Sequence, residues 1–569
     1  MRTLTALTTI SIAVLALIGV TPAASAEVYQ WSAQIDEVVS RESNGHPRAF
    51  LWVPENCQRV RAVVIAVQNM EEEQLFRHPA FRETLRDLGF AIVWITPPMG
   101  TNSFRFDQGE DKVLEHLLGT LADESGYAEV RTAPLVPVGH SATASWCWDV
   151  AAWNPKRTLA AISLSGMWPY FKSDFWGDRS IDDVPGLTTK GEFEVEGSLE
   201  QGWYAGLKGD FYRKHPNALF TQVVEPGDGH FAASDEKIAL IDLFLRKAAQ
   251  FRLPASATGD GPVTLTPIDA DKSGWRYEVW HADRPPEAAA APVSKFKGKF
   301  DRSFWAFDEE MARAIEKFQG TQRNRINALI GYRQKGGLVQ PIPDHVMVHL
   351  KFEPLDDSLT FKLTGGFFDV VPAASVKDGQ PAGWQKLVGN YTRVVEQGSS
   401  IPHPTGQDDS MTVDVICGPA VQVSKDTFAI RFNRTGFDNP KRSGSPCFIL
   451  TYPGDAKFKR MVQQAELRVP LKNDKGAEQT ITFPKIGDQK AGTESVKLAA
   501  TSSAKAPVFY YVREGPAEVD DKGVLTFTPI PPRAKFPIKV TVVAWQWGRS
   551  SEPRLKSAEP IEQTFEILK

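Results

Sequence analysis

Gly139-His140-Ser141-Ala142-Thr143-Ala144 decides how the first half of this chain folds. The apolar run Leu135-Val136-Pro137-Val138 precedes it, and the helix-like segment Ser145-Trp146-Cys147-Trp148-Asp149-Val150-Ala151-Ala152-Trp153 follows. A strand, a sharp turn centred on a serine and then a helix is the context a nucleophile elbow requires. Such a turn holds Ser141 Oγ at the carboxyl edge of a sheet. It also turns the backbone N–H groups of the next helix toward any oxyanion formed there. The stretch therefore points to acyl transfer. It departs from G-x-S-x-G at the last position, where Thr143 stands. The glycine usual there lets helix and strand pack closely, so a β-branched threonine must find room. Glycine and serine also share ordinary turns, and the surroundings must decide.

Working outward, residues 27–254 alternate strand and helix signals. Arg61 to Val67, Phe90 to Ile95, Leu135 to Val138, Leu159 to Leu164, Leu187 to Thr189 and Leu219 to Val224 read as strands. Pro79 to Leu88, Asp111 to Leu121 and Ile238 to Phe251 have helical apolar spacing, and Pro79 suits a first helical position. Continuous apolar strands alternating with helices predict a parallel sheet covered on both faces, the α/β class. Ala255 to Pro262 is small, polar and linker-like. Residues 263–487 then read as short strands with one helix, Asp308 to Phe318, and predict a β-rich middle domain of sandwich type. A last β module spans residues 496–569.

A serine nucleophile needs a base, and the base an orienting acid. Glu225-Pro226-Gly227-Asp228-Gly229-His230-Phe231 follows the last strand of the first domain, so His230 can swing over the sheet edge toward Ser141. His140 abuts the serine but points away in an elbow. One oxyanion donor is expected from Ala142 N–H, and a second from the loop Gln68-Asn69-Met70-Glu71-Glu72-Glu73, with Met70 or Asn69 N–H as candidates. The run Glu71 to Glu73 reads most simply as the solvated first turn of a helix. Trp168 and Tyr170 follow Ser165-Gly166 at a strand's carboxyl end, where a substrate pocket would open. Trp146, Trp148, Trp153, Trp203 and Tyr204 crowd the same region, and core packing or a lid is the alternative for each aromatic.

At these residues the first domain resembles the α/β-hydrolase family of serine esterases. Gly139-His140-Ser141-Ala142 is similar to its elbow, and Asp228-Gly229-His230-Phe231 to its histidine loop. The resemblance implies a Ser–acid–His triad in that chain order. The acid should lie in the loop after Val184 to Lys190, within Gly191-Glu192-Phe193-Glu194. Glu194 occupies the position where family members often carry aspartate; Glu192 is the second choice and Glu196 the third. Tyr511 to Val519 and Val540 to Gln546 resemble bacterial immunoglobulin-like modules.

The remaining signals bound the setting. Arg2, the apolar run Ile10 to Val20 and Ala24-Ser25-Ala26 read as a signal peptide over residues 1–26, cleaved after Ala26, which predicts a secreted or periplasmic protein without a membrane span. A net charge of -4 among 569 residues gives no electrostatic reason to expect nucleic acid as a partner. Of four cysteines, Cys417 and Cys447 are the expected disulfide, while Cys57 and Cys147 stay open between a second pair and two thiols. No metal-ligand spacing appears, and no cofactor is expected. The chain thus reads as an exported ester hydrolase. Esters linked to polysaccharide are one substrate class, suggested by the aromatics and the β modules. A serine peptidase and a non-catalytic binding or adhesion protein on the same fold are the alternatives.

Overall fold

A computed structural model describes residues 28–569 except 101, 193–210, 212–213, 232–233, 256–260, 282–283, 341–346, 356–358, 371–397 and 399. The expected signal peptide therefore lies outside the described residues. Eight strands form one mixed sheet in the order β1-β2-β4-β3-β5-β6-β7-β8. They are β1 (Trp31–Gln34), β2 (Arg48–Trp52), β3 (Ala62–Val67), β4 (Phe90–Thr96), β5 (Leu135–His140), β6 (Ala161–Leu164), β7 (Gly186–Gly191) and β8 (Phe220–Glu225). β1 and β2 pair antiparallel; from β4 to β8 every pairing is parallel. Ala62 to Val67 are all buried, as a strand with both faces covered requires.

The covering helices are α1 (Glu71–Arg77), α2 (Pro79–Leu88), α3 (Glu110–Ser125), α4 (Ala144–Trp153) and α5 (Asp235–Arg252). Their ends follow local chemistry. Pro79 opens α2, and Gly89, at φ +68°, closes it by donating to the Leu85 and Arg86 carbonyls. Ser234 caps α5 by accepting from Lys237 N.

From β3 the chain first adds β4 on one side and then β5 on the other. Such a switch point opens a crevice at the carboxyl ends of the strands, the usual place for a ligand in an open α/β sheet. The register pairs His140 with Leu164, Leu164 with Thr189 and Gly191 with Glu225. The turns after β5, β6, β7 and β8 therefore emerge along a single edge.

The packing does not stop at Pro254. A small sheet containing Trp275–Glu278 and Ser303–Ala306, with helix α6 (Glu309–Gln319), lies along β8. Tyr277 OH donates to Gln222 O at 2.7 Å and accepts from Gln222 N at 2.9 Å, and Gln319 Oε1 accepts from Val224 N at 2.9 Å. Side chains thus occupy backbone groups that an edge strand would otherwise expose.

Beyond α6 the chain forms several small sheets, mostly antiparallel. One four-stranded sheet runs Val348–Lys351, Met461–Arg468, Cys447–Tyr452 and Thr412–Cys417. Cys417 and Cys447 face each other across its ladder, yet all four cysteines are free thiols, so the expected bridge is not formed. The C-terminal strands, among them Ile538–Gln546 and Ala558–Leu568, contribute Val540, Val542, Phe565 and Ile567 to the same core as Tyr29, Trp31 and the first sheet. Gly515 N donates to Tyr29 O at 3.2 Å, and Lys535 N to Ser125 O at 2.9 Å. Among the described residues no helix is long and apolar enough to cross a membrane.

Candidate active site

β5 ends at His140, and Ser141 sits in the left-handed region at φ +51° before the chain enters α4. A serine held there is under backbone strain, tolerated where the surroundings over-determine it. Two glycines make the turn possible. A Cβ on Gly139 would lie 2.2 Å from Thr143 O, and one on Gly166 would lie 1.9 Å from Ala144 Cβ. The close approach of helix and sheet thus uses Gly166, at the end of the neighbouring strand, against Ala144.

Thr143 finds its room as a polar residue. Its Oγ1 donates to Glu72 Oε1 at 2.7 Å and accepts from His140 N at 3.1 Å. Glu72 Oε1 also accepts from His140 N at 2.9 Å, and its Oε2 accepts from Met70 N at 2.7 Å. Glu71 and Glu72 have no exposed surface and Glu73 only 4 %, which overturns the expectation of a solvated first turn. The reason is placement: α1 starts directly after β3, at the switch point, so its first turn points into the elbow. Burial raises the Glu72 carboxyl above its ordinary range, while the donors from Thr143, Met70 and His140 pull the other way. Burial pushes Glu71 up to about 7 against the pull of the Lys237 ammonium, with which it pairs.

The structure brings Ser141 and His230 together: Ser141 Oγ and His230 Nε2 are 2.6 Å apart. Ser141 is partly exposed and Ala142 exposed, so the outer side of the elbow is open. The ring of His140 is fully buried and points away from the opening; its Nε2 meets His230 O at 3.1 Å. Asn69 Nδ2 donates to His140 O at 2.8 Å.

The other expected residues divide. Glu194 and Glu196, with Trp203 and Tyr204, lie outside the described residues. Glu192 is buried beneath the histidine loop: its Oε2 accepts from Gly227 N at 2.7 Å, and its Oε1 pairs with Lys459. Met70, expected as an oxyanion donor, gives its N–H to Glu72. Trp168 is partly exposed and packs edge-on to Phe171. Tyr170 is tied into its own loop, donating to Asp182 Oδ1 at 2.6 Å and stacking on His215 at 3.6 Å between ring centroids. Trp146 and Trp148 are buried, which is the core-packing reading. Among the described residues no group of three His, Cys, Asp or Glu side chains could hold a metal ion.

The sequence reading missed how the histidine loop is held. Arg460 Nη1 donates to Asp228 Oδ2 at 2.6 Å and lies 3.7 Å from Glu225 Oε1. Lys237 Nζ lies between Glu71 and, at 3.7 Å, Glu225. Burial alone would lower the Lys237 and Arg460 cations, but the surrounding carboxylates hold both above their ordinary values. Burial, reinforced by Asp228, keeps Glu225 well above the usual carboxylate range. Arg460 lies more than 200 positions from Asp228 and Glu225, and Lys237 more than 150 from Glu71.

No protein-family model matches the chain, and no curated protein matches it. Solved structures do resemble part of it. A thermostable esterase is 14% identical with a TM-score of 0.24; the likeness covers 34% of this chain and 54% of that one, so this chain spans about half of that relative's length. Est1E from Butyrivibrio proteoclasticus is 15% identical over 38% of this chain and 99% of its own, TM-score 0.25. FphF, a fluorophosphonate-binding serine hydrolase of Staphylococcus aureus, is 13% identical over 39% of this chain and 96% of its own, TM-score 0.25. These three likenesses are to two esterases and a serine hydrolase, at 13–15% identity.

Proposed function

We propose that this chain is a serine hydrolase that cleaves carboxylic esters through an acyl-enzyme. The observation that carries the reading is the 2.6 Å separation of Ser141 Oγ and His230 Nε2 at a strained elbow. His230 takes the Ser141 proton as Oγ attacks the ester carbonyl carbon. The tetrahedral oxyanion forms against Ala142 N–H. As it collapses, His230 returns the proton to the departing alcohol. Water then enters by the same route, giving its proton to His230 while its oxygen attacks the acyl carbon, and Ser141 leaves with the proton. Glu194 is the acid we assign to hold the imidazole tautomer. With Met70 N–H engaged by Glu72, Ala142 is the one donor we assign; losing such a donor typically costs on the order of 2.7–4 kcal/mol in the barrier.

Trp168, partly exposed beside the elbow's edge, is the aromatic we propose against the substrate; Tyr170 supports its loop. Export, a sandwich-type middle domain, an immunoglobulin-like last module and polysaccharide-linked esters belong to the same proposal. The test is a fluorophosphonate probe on the purified protein. Labelling should fall on Ser141, and Ser141→Ala should lose both labelling and ester turnover while melting within about 2 °C of wild type, the scale of a surface-like change. An unlabelled Ser141, or a Ser141→Ala variant that still turns over nitrophenyl esters, sinks the assignment. Faster cleavage of amides than of matched esters would move the reading to a peptidase.

A further inference from the structure

The segment Lys459–Gln464, leading into and along the strand Met461–Arg468, forms the floor of the loop that carries His230. With the amide oxygen of Gln464 turned toward that loop, it accepts from His230 N at 2.8 Å and from Phe231 N at 3.0 Å. Arg460 fixes Asp228, two residues before the imidazole, at 2.6 Å. Gly227 sits at φ +77° with its backbone pressed against the same segment; a Cβ there would lie 2.2 Å from Arg460 O. Lys459 holds Glu192, which in turn accepts from Gly227 N at 2.7 Å. Phe231 packs into the β unit's own apolar cluster with Ile416, Cys417, Cys447, Ile449 and Val462.

We propose that Arg460 and Gln464 are positioning residues for His230, and that the middle β unit is part of the catalytic apparatus rather than an appended binding module. This rests on the reading of Ser141 and His230 as nucleophile and base. The physical argument is one of tolerance. Proton transfer from Oγ to Nε2 needs the two atoms at hydrogen-bond distance in the reacting complex. The imidazole hangs from a glycine-rich loop whose described residues, 226–231, form no helix or strand to set its height. From the first domain's side, the His140 ring meets this loop at His230 O, at 3.1 Å. From the β unit, the main-chain N–H groups of His230 and Phe231, the Asp228 carboxylate and the Phe231 ring are all gripped. A displacement of about 1 Å at such a site costs on the order of 10²-fold in rate.

The experiment compares full-length variants for kcat, KM, the rate of fluorophosphonate labelling and melting temperature. Gln464→Leu and Arg460→Met should each lower kcat and the labelling rate by about 10²-fold with KM changed less than about threefold, and Arg460→Lys should recover about tenfold of that loss. Arg533→Met is the contrast. It breaks a docking contact to Glu129 near the start of β5, at the opposite edge of the sheet, and should lower the melting temperature without changing kcat. The proposal is overturned if the Gln464 and Arg460 variants fold and keep kcat within about threefold of wild type, or if Arg533→Met lowers kcat as much as they do. Should Gln464→Leu and Arg460→Met not fold, Arg460→Lys decides: kcat lowered about tenfold or more at unchanged KM supports the proposal, and an unchanged kcat overturns it. A wild-type protein unlabelled at Ser141 would instead sink the hydrolase reading itself.

Discussion

Thr143 fills a position where the elbow pattern has glycine, and in the structure its hydroxyl joins Glu72 to the turn. Restoring the pattern should therefore harm the protein. Thr143→Gly and the near-isosteric Thr143→Val both take a donor from a fully buried carboxylate, at a cost of about 1–3 kcal/mol each, measurable by urea denaturation. A Thr143→Gly variant as stable as wild type would show that Glu72 contributes nothing there. The approach of Ser141 and His230 to 2.6 Å was legible in the sequence because each sits in a short local pattern with its own backbone requirement. Glu72 was not: three consecutive carboxylates look like a wet helix start unless the switch point above them is known. Lys459, Arg460 and Gln464 carry no local signal at all, since their partners lie more than 200 positions away along the chain.

Among the elements, α5 is fastened to α1 and β8 by one buried cation. Lys237→Met would leave Glu71 and Glu225 without their shared counter-charge and should cost about 3–5 kcal/mol, read from the denaturation midpoint. α4 carries a different kind of charge. Asp149 accepts from Trp176 Nε1 at 2.8 Å and Phe104 N at 2.9 Å, and burial pushes its carboxyl up to about 7. A carboxyl whose folded value is raised makes the folded state bind a proton the unfolded chain has already released. Stability is undiminished below about 4, falls as pH rises toward 7 and is flat above. The unfolding free energy of Asp149→Asn relative to wild type should accordingly climb between pH about 4 and about 7, by up to about 4 kcal/mol; a flat difference curve would refute the assignment. The elements themselves were largely readable. Pro79–Leu88 forms over the range its pattern predicts, because caps and apolar periodicity are local. β1 and β2 escaped notice: β1 is a four-residue edge strand, and β2 is only five residues long and pairs antiparallel with both its neighbours.

For the whole molecule, composition shifts suggested successive domains, but side chains from 29–253, 265–315 and 481–567 share one apolar core. Sequence pattern marks where strands and turns fall; it says little about which distant surfaces meet. Calorimetry should show the last module melting together with the first sheet, and a chain cut after residue 487 should not yield a soluble first domain. Two separate transitions would contradict a shared core. The interleaving also bears on how the molecule is made. Ribosomes add roughly 5–20 residues per second, so the sheet holding Ser141 waits on the order of tens of seconds before Ile538–Gln546 and Ala558–Leu568 emerge. Throughout that interval the nascent chain carries apolar surface around Tyr29, Trp31 and the first sheet that the last strands later cover, and premature association would start there.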